Sequence, residues 1–230
     1  MAKKDGVQML GSWASPYSNR VQMALNLKSI DYEFIEEKFY TNKKSDLLLK
    51  ANPVHKQIPV LIHDDKPICE SLVIIQYIDD VWTDHGPSIL PSGPHDRAMA
   101  RFWADYIDKK WVSLFMDLDK EEQTRVATME KIIEGVLLLE SYFVECSKGK
   151  GFFGGDNVGY VDVVLGSFLG WIKANELMFP GVRFFDDINA PGLTTWVERF
   201  CVHDAAKDVL SEPQKLMEQY LMVKAAKATA

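Results

Sequence analysis

"NPVHKQIPVLIHDDKPICES", residues 52–71, decides the fold. Two short apolar runs, "PVLIH" and "PICE", flank the turn "DDKP" and read as a β-hairpin. Ser71 then opens an amphipathic segment, "SLVIIQYIDDVW", which reads as a helix capped by that serine. Upstream, strands and helices alternate. Residues 7–12 read as a strand, and residues 16–28 as a helix with Val21, Ala24, Leu25 and Leu27 on one face. "YEFIEE" (32–37) has the period-two pattern of a second strand. A lysine-rich loop, "YTNKKSD" (40–46), precedes a short helical piece, "LLLKA". The order β-α-β-α-β-β-α is that of an α/β layer structure, and the terminal hairpin makes its four-stranded sheet mixed.

From Thr83 to Pro94 the chain is dense in Pro, Gly, Ser and Asp and reads as a linker. Beyond it the strand period disappears. Met99, Phe102, Trp103, Tyr106, Lys110, Leu114, Phe115 and Leu118 follow the spacing of one helix face. Further helices fit residues 121–147, 160–176, 191–202, 203–210 and 213–227. The expected organisation is an α/β domain over 1–82, a linker over 83–94 and an all-α domain over 95–230.

The bulk composition excludes several classes. The 230 residues carry a net charge of −7, with the acid excess in the second part, so no nucleic-acid footprint is present. The most apolar stretch, "VVLGSFLGWI" (163–172), is too short to cross a bilayer. "MAKKDGVQML" has no apolar core of a secretory signal. Cys69, Cys146 and Cys201 are odd in number and far apart, which fits a reducing compartment. The histidines show no metal-ligand spacing, and no metal site is expected. The glycine-rich "KGKGFFGGDN" (148–157) lacks the Gly-Lys-Ser/Thr ending of a phosphate loop and reads as a turn between helices. Past it, Gly159 and Asp162 have the spacing of a capping pair.

Several residues could carry chemistry. In "GSWASPYSNRV" (11–21), Ser15 precedes Pro16 where the first strand gives way to the first helix. Serine is a favoured N-cap, and proline a favoured first helical residue. The same position is where open α/β sheets place ligands. No base stands nearby in sequence, so Ser15 reads as a hydrogen-bond donor to an anion rather than as a nucleophile. Glu70 and Ser71 make a bipolar pair suited to an α-amino acid head group. Ile58, before Pro59, can offer its backbone to an extended peptide. Lys43, Lys44 and Lys56 supply local positive charge in an acidic chain. Lys110 stands within the aromatic stripe of the 95–118 helix, and this suggests that one end of the stripe opens onto a cleft between domains.

Four segments in this order, "SPYSNRV", "NPVHKQIPVLIHDDKPICESLVIIQYID", "RFWADYIDKK" and "FFGGDNVGYVDVVL", resemble the plant tau class of glutathione transferases along nearly the whole chain. The resemblance implies a thioredoxin-like N-terminal domain, an all-α C-terminal domain and a cytoplasmic homodimer. It implies conjugation of glutathione to hydrophobic electrophiles, with glutathione as co-substrate and no covalently bound cofactor. Ser15 matches the thiolate-stabilising serine, and Glu70 and Ser71 match the grip on the γ-glutamyl group. Ile58, before an expected cis-Pro59, matches the backbone pairing to the cysteinyl unit. Lys44 matches a lysine near the glycyl end, with Lys43 the alternative. Tyr17, Tyr106, Lys110 and Trp171 fall where such proteins line the electrophile pocket. Glutathione-dependent peroxide reduction and non-catalytic carriage of hydrophobic anions are the competing readings.

One position departs from the pattern. The family commonly has a lysine directly before the Ile-Pro pair, where this chain has Gln57. Gln57 can hydrogen-bond, but a positive charge is missing and Lys56 compensates only in part. Gln57→Lys is therefore expected to lower the KM for glutathione in steady-state kinetics, and an unchanged KM would remove the argument.

Overall fold

The computed structural model describes residues 6–38 and 43–228; within the lysine-rich loop, residues 40–42 lie outside the described residues. β1 (Val7–Gly11) ends in a turn, and Pro16 opens α1 (Pro16–Leu27). Proline suits that place because the N–H it lacks is one the helix does not use. β2 (Glu33–Glu36) is followed by α2 (Asp46–Ala51), whose cap Ser45 accepts from the Leu48 N–H at 3.0 Å. β3 (Val60–His63) and β4 (Lys66–Cys69) are joined by Asp64 and Asp65, with φ of 49° and 62°, as a two-residue hairpin turn requires. α3 (Ser71–Val81) follows. The sheet order is β2-β1-β3-β4. β1 runs parallel to β2 and antiparallel to β3, and β3 antiparallel to β4.

Alternation along the central strands sorts the core. Leu10, Val60 and Ile62 pack with Leu48 and Ala51 of α2 on one face. Met9 and Leu61, partners across β1 and β3, point to the opposite face. α1 and α3 pack on each other through fully buried residues such as Val21, Leu25, Ile74 and Ile78. At the end of α1, Lys28 Nζ lies 2.8 Å from Asp79 Oδ1 of α3, with both side chains buried. Asp79 Oδ1 also accepts from the Ile89 N–H at 2.8 Å. Gly86 has φ +63°, and a Cβ there would lie 2.2 Å from the Leu27 carbonyl oxygen. The first half of the expected linker is therefore fastened to the end of α1.

The chain divides into two compact units, residues up to Ile89 together with those from Asp204 onward, and Leu90–His203. Grouping the tail with the sheet differs from the expected helical domain over 95–230. Polar ties join the tail to α1: Asn26 Nδ2 donates to the Ala205 carbonyl at 3.2 Å, and Asn19 Nδ2 to Ser211 Oγ at 3.1 Å, while Ala205, Ala206 and Leu216 are buried. Residues 203–210, expected as a helix, form turns, with the Ala205 carbonyl engaged by Asn26. α10 is the last helix (Pro213–Ala228).

The helical unit contains α4 (Pro94–Tyr106), α5 (Val112–Phe115), α6 (Glu122–Ser147), α7 (Tyr160–Gly166), α8 (Leu169–Met178) and α9 (Pro191–Cys201). The single helix expected over 95–118 is interrupted by a π-helical turn, Ile107–Trp111. Its wider turn shifts the phase of the apolar stripe, so Ile107 and Trp111 are buried and Lys110 is exposed. Trp111 Nε1 donates to the Ile132 carbonyl at 3.1 Å, and its ring lies where a Cβ on Gly135 would stand. The helix expected over 160–176 breaks after Gly166, where Ser167 Oγ donates back to the Val164 carbonyl at 2.8 Å. Asp162 is fully buried and takes four N–H donors: Gly159, Phe153, Gly154 and the Trp196 indole, at 2.7–2.9 Å. Burial pushes its carboxyl up to about 6, and the four donors pull it down. Asp162 thus ties the glycine-rich turn, the start of α7 and α9 together. Among the described residues, no helix is long and apolar enough to cross a membrane.

The Lys28–Asp79 pair gives a direct test. Removing one partner of a buried ion pair leaves the other charge uncompensated, at a cost of about 3–5 kcal/mol. Lys28→Met is expected to lower the urea unfolding free energy by that order. The double variant Lys28→Met/Asp79→Asn, which keeps an acceptor for the Ile89 N–H, is expected to recover part of the loss.

Candidate active site

The strand register gathers the candidate residues. Leu10 pairs with Val60, and Val60 with Cys69, so the end of β1, the start of β3 and the end of β4 form one row. Beyond that row lie the turn bearing Ser15, the segment Gln57–Pro59 and the Glu70–Ser71 junction. These come together at one edge of the sheet.

The turn that carries Ser15 is tight. A Cβ on Gly11 would lie 2.9 Å from Ser18 Oγ and 3.0 Å from the Phe34 ring. Ser12 donates its N–H to Ser18 Oγ at 3.1 Å and its hydroxyl to Glu36 Oε1 at 2.8 Å. The Trp13 N–H reaches Glu36 Oε2 at 3.2 Å, and the Ser15 N–H closes on the Ser12 carbonyl at 3.0 Å. Ser15 is the N-cap of α1, and its Oγ accepts from the Ser18 N–H at 3.3 Å. Capping uses a lone pair, whereas donation to a ligand uses the proton, and a hydroxyl has both.

Ser71 follows the same pattern but does not cap α3, as the sequence reading had it. The cap is Glu70, whose carbonyl accepts from the Ile74 N–H at 2.8 Å, and Ser71 is the first helical residue. Ser71 Oγ accepts from Nη1 of the fully buried Arg20 at 3.0 Å. Arg20 also lies over the Tyr17 ring, 5.3 Å from its centroid. Glu70 adopts φ 71°, ψ 111°, a conformation unfavourable for a residue with a Cβ. Such strain, of about 1–3 kcal/mol, concentrates where a side chain must be aimed. The Glu70 carboxylate is exposed, with His55 Nε2 at 3.8 Å.

The Ile58–Pro59 peptide bond is cis. The loop before it is organised by Asn52, a residue the sequence reading did not single out. Buried Asn52 donates to the Gln57 carbonyl at 2.9 Å, and its Oδ1 accepts from the His55 N–H at 3.0 Å. Its carbonyl takes the Lys56 N–H at 2.9 Å. The available signal was the Asn-Pro dipeptide, a turn initiator. Lys44 Nζ donates to the Lys56 carbonyl at 2.6 Å and so belongs to the same edge, while Lys43 is exposed. Arg20 and Glu36 were also unmarked in the sequence, since nothing local distinguishes them from surface charges.

Of the residues expected to line an electrophile pocket, Tyr17 is exposed near the start of α1. In the helical unit, Tyr106 is half-buried at the end of α4, edge-on to Trp103 with centroids 5.5 Å apart. Burial, with the nearby Glu134 adding to it, raises its hydroxyl pKa, so the group remains protonated. Trp171 is half-buried on α8. Among the described residues, no cluster of three or more His, Cys, Asp or Glu side chains could hold a metal ion.

Known proteins share this fold. Residues 6–80 match the family model for the glutathione S-transferase N-terminal domain, and residues 102–204 that for the C-terminal domain. Glutathione S-transferase U17 of Arabidopsis thaliana is 52% identical over 221 residues, covering 95% of each chain. The crystal structure of a tau-class glutathione S-transferase from mango superposes with a TM-score of 0.91 at 49% identity, covering 96% of this chain and 99% of that one. A rice transferase solved in complex with glutathione gives 0.86 at 34% identity, covering 97% and 100%.

Two of the chain's own thiols, Cys69 and Cys146, are held in the unreactive protonated form at neutral pH. Burial raises the Cys69 pKa, with Glu70 adding to it, and burial pushes Cys146 up to about 12, with Asp162 adding to it. Higher pKa means less thiolate, the reactive form. Peptide mass spectrometry after iodoacetamide treatment at pH 7 is expected to find Cys146 unmodified in the native protein and modified after unfolding. Rapid native labelling of Cys146 would contradict this.

Proposed function

The chain belongs to the glutathione S-transferase family, in its tau class, and on that premise we propose that it joins the glutathione thiolate to hydrophobic electrophiles, with the Ser15 hydroxyl holding the sulfur deprotonated. The observation that carries this reading is the double capacity of Ser15, which caps α1 through a lone pair while its proton remains a separate resource.

The magnitudes are sufficient. A cysteine thiol titrates near ~8.5, so only a few per cent is thiolate at neutral pH. Lowering that value by about two units takes roughly 2.7 kcal/mol of preference for the charged form. A hydrogen bond to a charged group contributes about 1.5–3 kcal/mol. The helix N-terminus adds about 0.3–1 kcal/mol. Holding thiolate and electrophile within reach supplies further acceleration.

The remaining assignments follow from charge and backbone chemistry. Glu70 takes the ammonium of the γ-glutamyl group, and the Ser71 hydroxyl its carboxylate. The Ile58 backbone pairs with the cysteinyl unit. Lys44 takes the glycyl carboxylate, with Gln57 hydrogen-bonding beside it. Tyr17, Tyr106, Lys110 and Trp171 serve the electrophile. No covalently held cofactor enters the scheme. A homodimer belongs to the same reading, supported by Val126, Leu137 and Val144, which remain exposed along one face of α6. A cytoplasmic location is supported by three free cysteines.

Ser15→Ala tests the central assignment. The fold and most glutathione binding are expected to persist, while most turnover with an aromatic halide at pH 6.5 is lost. Part of the activity returns at higher pH, as the thiol ionises unaided. Full turnover at pH 6.5 would overturn the reading.

A further inference from the structure

The turn Ser12–Ser15 is also held from the tail of the chain. Ser211 Oγ donates to the Trp13 carbonyl. Asn19 Nδ2, from the second turn of α1, donates to the same Ser211 oxygen at 3.1 Å. Both residues are buried, Ser211 at 9% exposure and Asn19 at 2%. The contact spans 198 positions in sequence, within the unit that contains α1.

We propose that Ser211 is a positioning residue for the transferase reaction, fixing the peptide plane that precedes Ser15, with Asn19 setting the direction of its hydroxyl. The inference rests on the reading of Ser15 as the donor to the glutathione sulfur. A hydroxyl has one proton. The Asn19 amide donates to the Ser211 oxygen, so the Ser211 proton is directed at the Trp13 carbonyl. Fixing that carbonyl fixes the planar Trp13–Ala14 peptide. The next peptide leads into Ser15, whose backbone at φ −89°, ψ 115° sets where Oγ points. Polar ties on the turn include Glu36 and Ser18 on the strand and helix side, and Ser211 on the tail side. Without Ser211, the Trp13 carbonyl loses this donor, and the peptide plane is held less firmly. Ser15 Oγ then loses alignment with a thiolate, although glutathione still meets Glu70, Ser71 and the Ile58 backbone. The predicted signature is a loss in kcat with little change in KM for glutathione.

The test uses the full chain with Ser211→Ala, Ser211→Thr, Asn26→Ala and Ser15→Ala, followed by kinetics, thermal unfolding and the pKa of bound glutathione from its thiolate absorbance. A partial misalignment of a reacting group is expected to lower kcat about tenfold in Ser211→Ala. The bound thiol pKa rises, the KM for glutathione stays within about twofold, and Ser211→Thr restores both kcat and pKa. Asn26→Ala removes a different tie to the tail, at Ala205, and is expected to leave the thiol pKa unchanged. Wild-type kcat and pKa in Ser211→Ala overturn the proposal. So does an Asn26→Ala effect equal to that of Ser211→Ala, which would mean that the serine only anchors the tail. If Ser211→Ala does not fold, Asn19→Ala reads the same quantity: a smaller rise in thiol pKa supports the proposal, and no rise overturns it. Retained turnover in Ser15→Ala would be a failure of the underlying reading, separate from these outcomes.

Discussion

The register across β1, β3 and β4 is the constraint on which the site depends. Leu10 faces Val60, and Val60 faces Cys69, so three chain turns emerge beyond the same edge of the sheet. A slip of one residue would reverse every side chain on the slipped strand, carrying Leu10 or Val60 away from the cluster under α2. The core therefore fixes the site indirectly. Burying Leu10, Val60 and Ile62 on one face and Met9 and Leu61 on the other excludes a one-residue slip, and the observed pairing brings the segments that carry Ser15, Ile58 and Glu70 out beyond the same row. Apolar packing supplies the energy, and the polar residues inherit their positions from it.

At that edge the protein uses hydroxyl groups economically. Ser15 accepts from a backbone N–H of its own helix, and Ser71 accepts from the buried Arg20. In each case the protein occupies a lone pair and orients the oxygen without consuming the proton. Direction thus comes from the protein, and on the proposed reading the proton is what each hydroxyl offers to the ligand's anion. This explains how a neutral residue can manage charge in an acidic chain. The cation that donates to Ser71, Arg20, is fully buried.

Much of the fold was legible because its signals are local. Ser15-Pro16 marks a helix start, and the Asp64-Asp65 turn lies where composition puts it. The features that were missed depend on distance or on phase. Lys110 shares a face with Trp103 and Tyr106 only if the helix keeps 3.6 residues per turn, and the π turn over Ile107–Trp111 breaks that phase. The break is coupled to Gly135 on another helix, which makes room for the Trp111 ring. Ser71 has the identity of a cap, yet Glu70 takes that place in a strained conformation. Asn52, Glu36 and Arg20 act through bonds to atoms that sequence spacing does not bring near. The tail at 203–210 has helical composition, but Asn26 engages a carbonyl there.

The positive charges near the site solve a problem that net charge poses. Glutathione carries two carboxylates and, once activated, a thiolate, so an acidic chain repels it at long range. The lysine-rich loop answers locally. Lys44 is pinned through the Lys56 carbonyl, and the Lys56 backbone is pinned through Asn52. Asn52 is buried while Lys44 and Lys56 are exposed, so one buried asparagine holds the backbone that receives the Lys44 ammonium. An exposed cation contributes little by attraction alone, because water and salt screen it. Its value rises when its position is fixed before the ligand arrives, since the ordering cost is then met by folding and not by binding. A glutamine at position 57 in place of a lysine therefore changes side-chain charge and leaves the backbone geometry in place. The Gln57 carbonyl is the group Asn52 holds, and its side chain is free to change without disturbing that hold.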